Sequence, residues 1–233
     1  MNLDVNNPRE RLIVALDYPT ADQAMQLVRQ LAGEVSFFKI GLQLYTAAGP
    51  DIVRAVTARG ARVFLDLKLH DIPNTVGKAV EAAGALGVAM LTIHLSGGRR
   101  MIEAAAKAAP DGLLLLGVTV LTSADAEMLR ETGVASDVEE QAVRLAKLGA
   151  AAGVRGFITS PHEVARLRRE LGAGVSIITP GVRPDWAAAD DQKRFTTPAE
   201  ALRNGADKLV VGRPVTADTN PLSALRRILT EIN

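Results

Sequence analysis

The sequence predicts a single (β/α)8 TIM barrel, a closed parallel sheet wrapped in helices with its site at the C-terminal mouth. Three observations carry that prediction. Short apolar runs, polar breaks and helical stretches alternate along the chain, about one unit per 25 residues. The apolar runs are near-continuous Val, Ile, Leu and Ala, as in strands covered on both faces. Polar and charged residues collect where those runs end. A doubly wound open sheet competes, but it usually has fewer strands, and no Gly-x-Gly-x-x-Gly follows any run. No linker or low-complexity segment interrupts residues 1–233, so one domain is expected, with residues 1–10 as an N-terminal extension.

The elements follow in order. Leu12 to Leu16 is the first strand and ends at Asp17. Thr20-Ala21-Asp22-Gln23 is a capping box opening a helix that closes near Gly33. Val35 to Ile40 is the second strand, carries Lys39, and is followed by a helix from about Gln43 to Arg59. Arg62 to Leu67 is the third strand, with a helix from about Asn74 to Leu86 behind it. Val88 to Leu95 is the fourth, then Gly97-Gly98 and a helix to about Ala108. Gly112 to Leu121 is the fifth; its helical partner is long and broken near Gly133, with Val138 to Ala152 amphipathic. Arg155 to Thr159 is the sixth, and Ser160-Pro161-His162-Glu163 caps a helix with proline at its first position. Val175 to Thr179 is the seventh, and Thr197-Pro198-Ala199-Glu200 repeats the same cap. Lys208 to Val211 is the eighth, and Asn220-Pro221 opens the last helix.

One connection breaks the rhythm. Residues 181–196 separate the seventh strand from its helix, a length typical of lids over barrel sites.

The strand ends sharpen the picture. Ile13, Ala15 and Asp17 share a face, as do Val35, Phe37 and Lys39, then Phe64, Asp66 and Lys68, then Met90, Thr92 and His94, then Leu209, Val211 and Arg213. Each row runs from apolar to polar, the pattern of a filled barrel with a polar mouth. Gly181 and Arg183 follow strand seven, and Gly212 and Arg213 follow strand eight. Glycine admits backbone N–H groups to an anion and arginine offers a fork of donors, so this side of the mouth suits a phosphorylated substrate. His94 and His70 read as hydrogen-bonded scaffold near strand ends, and His162 as a solvated cap residue.

Composition narrows the function classes. The chain has no cysteine, which excludes thiol catalysis and thiolate metal sites. A net charge of +1 argues against nucleic acid or an acidic membrane surface as main partner, and 3% aromatics against base-stacking platforms. No apolar run is long enough to span a bilayer, and Met1 to Glu10 lacks a signal-peptide core, so a cytoplasmic soluble protein is expected.

The chemistry centres on the stretch from Phe64 to Val76. Asp66 and Lys68 lie on one strand face with Cα atoms about 6.6 Å apart, two strand rises. Asp71 follows within a short turn, which sets Lys68 between two carboxylates. A Schiff-base lysine needs a neutral amine, the opposite of what flanking carboxylates favour. A divalent metal would suit the aspartates, but an ammonium among the ligands would compete with it. An ammonium that stabilises and protonates a developing carbanion fits best, with Lys39 balancing the charge. A purely structural salt-bridge network stays open beside these.

Asp66-Leu67-Lys68-Leu69-His70-Asp71-Ile72-Pro73-Asn74-Thr75 resembles the signature of the orotidine 5'-phosphate decarboxylase family. Ala15-Leu16-Asp17, Phe38-Lys39-Ile40-Gly41, Val118 to Ser123, Thr179-Pro180-Gly181-Val182-Arg183-Pro184, Asp191-Gln192-Lys193-Arg194 and Val211-Gly212-Arg213-Pro214 resemble its other blocks, in order. The resemblance implies decarboxylation of orotidine 5'-phosphate to UMP, the last step of de novo pyrimidine synthesis, without metal or organic cofactor. It implies that Lys68 protonates C6, that Asp66 lies near the departing carboxylate, and that Lys39 completes the charged row and reaches the ribose. It assigns Asp17 to the ribose, Thr122 and Ser123 to the pyrimidine, Arg183, Gln192, Gly212 and Arg213 to the phosphate, and Pro180 to substrate binding. It implies a homodimer in which Asp71 and Thr75 enter the neighbouring site. Trp186 and Asp190-Asp191 depart from the family's smaller lid residues. Magnesium-dependent barrels of the hexulose-phosphate synthase type share an Asp-x-Lys motif and are the alternative, as is a catalytically inactive nucleotide-binding barrel.

Overall fold

The computed structural model describes residues 7–187 and 196–233. Eight parallel strands close into a barrel in the order β1 to β8. They are β1 Leu12–Ala15, β2 Phe37–Gly41, β3 Arg62–Leu69, β4 Met90–His94, β5 Leu114–Val118, β6 Gly156–Ile158, β7 Ser176–Pro180 and β8 Lys208–Val211. Hydrogen bonding of β1 to both β2 and β8 completes the closure. A short helix, α1 Pro8–Arg11, precedes β1, with Asn7 as its cap. Among the described residues no helix is long and apolar enough to cross a membrane.

Three helices, those opened by Thr20, Thr197 and Asn220, form where their caps predict. In α2, Ala21–Leu31, the Thr20 hydroxyl accepts from the Gln23 N–H, and Ala24, Leu27, Val28 and Leu31 make the buried stripe. The expected single helix after β2 is two, α3 Leu42–Ala48 and α4 Asp51–Thr57. Gly49 takes a φ of 63° there, donating to the Tyr45 carbonyl, and Pro50 has no N–H to continue the ladder. α5 Pro73–Ala85 packs beside α6 Gly98–Ala108. The break at Gly133 is present, dividing α7 Ala126–Glu131 from α8 Val138–Ala151.

The helix after β6 starts later than the Ser160-Pro161 cap predicts. α9 runs Val164–Leu171, and residues 161–163 form a turn. The Glu163 carboxylate takes the Ser160 N–H at 2.9 Å, which closes the turn before the helix begins. Thr197 caps α10 Pro198–Arg203 as expected, and Asn220 caps α12 Pro221–Glu231, with the short α11 Arg213–Thr216 between them.

Two apolar layers separate cleanly. Ile13, Ala15, Phe37, Phe64, Met90, Leu116, Val118, Ile158, Ile178 and Val210 fill the barrel. The larger layer lies between strands and helices. Two of the expected rows need correction. In β8 it is Val210 that faces in, while Leu209 and Val211 pack outward, and Val35 also belongs to the outer layer. A strand apolar on both faces carries no alternation from which to read its orientation.

The barrel's N-terminal end is plugged by charge. Lys208 is 2% exposed, donates to the Glu10 carbonyl and lies 4.3 Å from the Phe37 ring centroid. Arg62 covers the same ring at 4.0 Å and pairs with the Glu10 carboxylate. Burial pushes the Lys208 pKa down to about 8, against the pull of Glu10.

Candidate active site

The C-terminal ends of β1, β2 and β3 bring together a row of alternating charge. Asp17 Oδ1 lies 3.0 Å from Lys39 Nζ, and Lys39 Nζ lies 3.7 Å from Asp66 Oδ2. Lys68 Nζ donates to both oxygens of Asp66, at 2.8 and 2.9 Å. Lys39 and Asp66 are mostly buried, whereas Asp17 opens to the mouth. Gly41 makes room for this row: a Cβ there would stand 3.0 Å from Lys39 Nζ and 3.5 Å from Asp17 Oδ1.

Lys68 occupies a backbone conformation that no sequence pattern announces. Its φ is +50°, the one positive φ outside glycine among the described residues. For a residue with a Cβ this costs about 1–2 kcal/mol. The cause is a slip between β3 and β4. Leu65 pairs with Leu91 but Leu69 pairs with Ile93, so Asp66, Leu67 and Lys68 face Thr92 alone. The expected faces survive, because Leu67 and Leu69 still pack against the outer layer. Strand geometry does not survive at Lys68, and β3 runs two residues beyond its expected end.

Asp71 departs from its expected place beside Lys68. It is exposed, its Oδ1 accepts the N–H of Ile72 at 2.6 Å, and among the described ion pairs Lys68 meets Asp66 only. Thr75 is exposed in the first turn of α5, on the same rim as Asp71. Ile72 between them is 66% exposed, an unusual position for a large apolar side chain.

The other side of the mouth is more open. Thr122 and Ser123 line a cleft of ≈ 970 Å³ with Ser160, His162, Glu163 and Gly181. Pro180 ends β7, Gly181 turns with a φ of 78°, and Arg183 is buried. Arg183 N–H donates to the Thr196 carbonyl at 3.0 Å, joining the two ends of the long connection. Gly212 stands against Asp17, and Arg213 is exposed at the start of α11. The expected phosphate residue Gln192 lies outside the described residues, as do Asp190 and Asp191.

Three residues with a part in this architecture were not legible as such. Thr92 is fully buried, accepts from the Lys68 N–H at 2.8 Å and donates to Asp66 Oδ1 at 3.0 Å. Glu163 is buried below the cleft, and burial raises its carboxyl pKa against the hydrogen bonds from Thr159 and Ser160. His94 is half-buried, with its ring centroid 5.6 Å from that of His70. Burial first, then His70 and Lys68, lower its pKa against the pull of Asp66. The row of Met90, Thr92 and His94 hinted at the first and third. Glu163 was disguised as a helix-cap residue.

Comparison with known proteins gives the family of the chain and supports its fold. A family model described as "Orotidine 5'-phosphate decarboxylase / HUMPS family" matches residues 10–228. The chain is 54% identical over 225 residues to an orotidine 5'-phosphate decarboxylase of Opitutus terrae, covering 95% of this chain and 97% of that one. It is 49% identical over 232 residues to one of Syntrophotalea carbinolica, covering 96% and 95%. A crystal structure of orotidine 5'-phosphate decarboxylase from Lactobacillus acidophilus aligns with a TM-score of 0.84 at 36% identity, over 95% of this chain and 98% of that one.

Proposed function

The chain belongs to the orotidine 5'-phosphate decarboxylase / HUMPS family, and from that premise we propose how its charged row works. The activity is that of a carboxy-lyase, converting orotidine 5'-phosphate to UMP in pyrimidine biosynthesis. The relatives near half identity carry the decarboxylase name, which favours that side of the family over a sugar-phosphate synthase. The observation that carries the mechanism is Lys68 Nζ held on both oxygens of Asp66 at a polar mouth.

In this reading the C6–carboxylate bond breaks and its electron pair stays on C6. Carbon dioxide leaves, and the Lys68 ammonium gives C6 a proton. A vinyl carbanion has no electron sink in the ring, so charge fixed in advance must stabilise it. Asp66 holds Lys68 and stands where the carboxylate departs. Lys39 is held by Asp17 and Asp66, and Lys39 and Asp17 meet the ribose hydroxyls. Thr122 and Ser123 meet the pyrimidine from the cleft. Arg183, Gln192, Gly212 and Arg213 surround the phosphate, with Pro180 among the substrate-binding residues and residues 181–196 as the lid. The joined ends of that segment support the lid, as does Trp186, whose ring lies 3.9 Å from the Arg227 guanidinium.

The Lys68 ammonium fills the place where a carboxylate-bound cation would sit, so the reaction is proposed to need no metal. A homodimer is part of the reading. The rim of Asp71, Ile72 and Thr75 is exposed, and among the described ion pairs Lys68 meets Asp66 and not Asp71, so Asp71 of the partner subunit would complete each site. A cytoplasmic setting goes with a cysteine-free chain of balanced charge. One assay tests the core of the proposal. Turnover of orotidine 5'-phosphate should persist in EDTA, and Lys68→Ala should lose at least about 1000-fold in kcat while still binding UMP. Loss of activity on chelation, or near-normal turnover of the variant, overturns it.

A further inference from the structure

Two residues of β3 are supernumerary against β4, and one side chain fills the gap they leave. The N–H of Lys68 points at Thr92 Oγ1, 2.8 Å away, instead of at a strand carbonyl. The same hydroxyl lies 3.0 Å from Asp66 Oδ1. Its roles are therefore fixed: it accepts from the Lys68 backbone and spends its one proton on the Asp66 carboxylate. Asp66 in turn receives Lys68 Nζ on both oxygens. Lys68 is thus pinned at its backbone and at its ammonium, and both pins pass through Thr92. The hydroxyl is fully buried, so water cannot replace it without a cavity. Threonine suits the place because its branched Cβ restricts χ1 and keeps Oγ1 on this bearing.

We propose that Thr92 is a positioning residue for the decarboxylation, holding the β3 bulge so that the Lys68 ammonium and the Asp66 carboxylate keep one fixed geometry at the mouth. The inference rests on the roles given above to Lys68 and Asp66. Thr92 lies beneath the pair and its hydroxyl is fully engaged, so it acts through them. Its removal should slow the chemical step and leave substrate binding nearly intact.

The test compares Thr92→Val, which keeps the shape and loses the hydroxyl, with Thr92→Ser, which keeps the hydroxyl. Lys68→Ala is the control. A misplaced reacting group costs about 100-fold, so Thr92→Val should lose kcat on that scale. KM for orotidine 5'-phosphate and Kd for UMP should stay within a few-fold, and Thr92→Ser should recover most of the loss. If Thr92→Val does not fold, Thr92→Ala against Thr92→Ser carries the same contrast, with UMP binding as the check of folding. Equal kcat in the wild type and the hydroxyl-free variant overturns the proposal. So does equal damage from Thr92→Ser and Thr92→Val, or a parallel rise in KM and UMP Kd without loss of kcat. If Lys68→Ala itself turns over normally, the underlying mechanism fails; if Lys68→Ala is inactive and Thr92→Val is normal, only the role of Thr92 fails.

Discussion

Residues at the phosphate side and at the reacting end divide the work, and the division is measurable one side chain at a time. Arg213 sits exposed at the start of α11, well placed for a ligand that arrives from solvent. Charge-assisted hydrogen bonds of a guanidinium to phosphate contribute about 1.5–3 kcal/mol, so Arg213→Ala should weaken UMP binding about 10- to 100-fold. Uridine, which has no phosphate, should bind the variant and the wild type alike. Calorimetry with both ligands checks this, and equal losses would remove Arg213 from the phosphate site. Lys68 shows the limit of reading residues singly. Its type and spacing from Asp66 marked it as the reacting group, yet its left-handed backbone depends on a strand slip invisible in the stretch itself. Asp71 shows the same limit in reverse: three residues past the bulge, proximity in sequence is not proximity in space.

Elements explain why the row of charge is tolerable. A barrel filled by Phe37, Phe64, Met90 and Ile178 gives an apolar floor, and the charges stand above it on strand ends. The opposite end is closed by Lys208, Arg62 and Glu10 around Phe37. That plug gives a pH signature. The ordinary Lys pKa is 10.5 and that of Lys208 is about 8. Between those values the unfolded chain holds a proton that the folded chain has shed, so stability rises with pH through this window. The gain is of order 1–3 kcal/mol and is absent below pH 8, where both states are protonated. Lys208→Met should flatten this rise, so the Tm difference between the variant and the wild type should change from pH 7.5 to 9.5. Parallel Tm curves would show that Lys208 titrates normally. Trp186 belongs to this scale as well. The residue that departs from the family's small lid residues packs against the outer apolar layer, under Arg227 of α12, and so ties the long connection to the last helix.

At the scale of the whole molecule, the proposed site draws Asp71 and Thr75 from a partner subunit and the rest from one barrel. Lys68 comes from the chain itself, whereas Asp71, Ile72 and Thr75 project from its rim. Subunit mixing tests this directly. Lys68→Ala and Asp71→Ala should each be nearly inactive alone. In a mixed dimer, one of the two sites receives both native residues, so equal random mixing should restore about a quarter of wild-type activity. No recovery, together with sedimentation showing dimers, would place Asp71 in its own subunit's site.

The sequence by itself determined the barrel, the order of its strands, the polar mouth and the identity of the charged row. These follow from local rules: cap residues, apolar runs and the family's motif are all written in consecutive positions. The break at Gly49-Pro50 was also written there, although the expected helix ran through it. Tertiary structure alone decided the inward face of β8, the late start of α9, the bulge at Lys68 and the burial of Thr92 and Glu163. Each of these depends on which neighbour lies across a strand pair or a turn. A parallel strand apolar on both faces does not encode that choice in its own residues, so only closure of the barrel makes it.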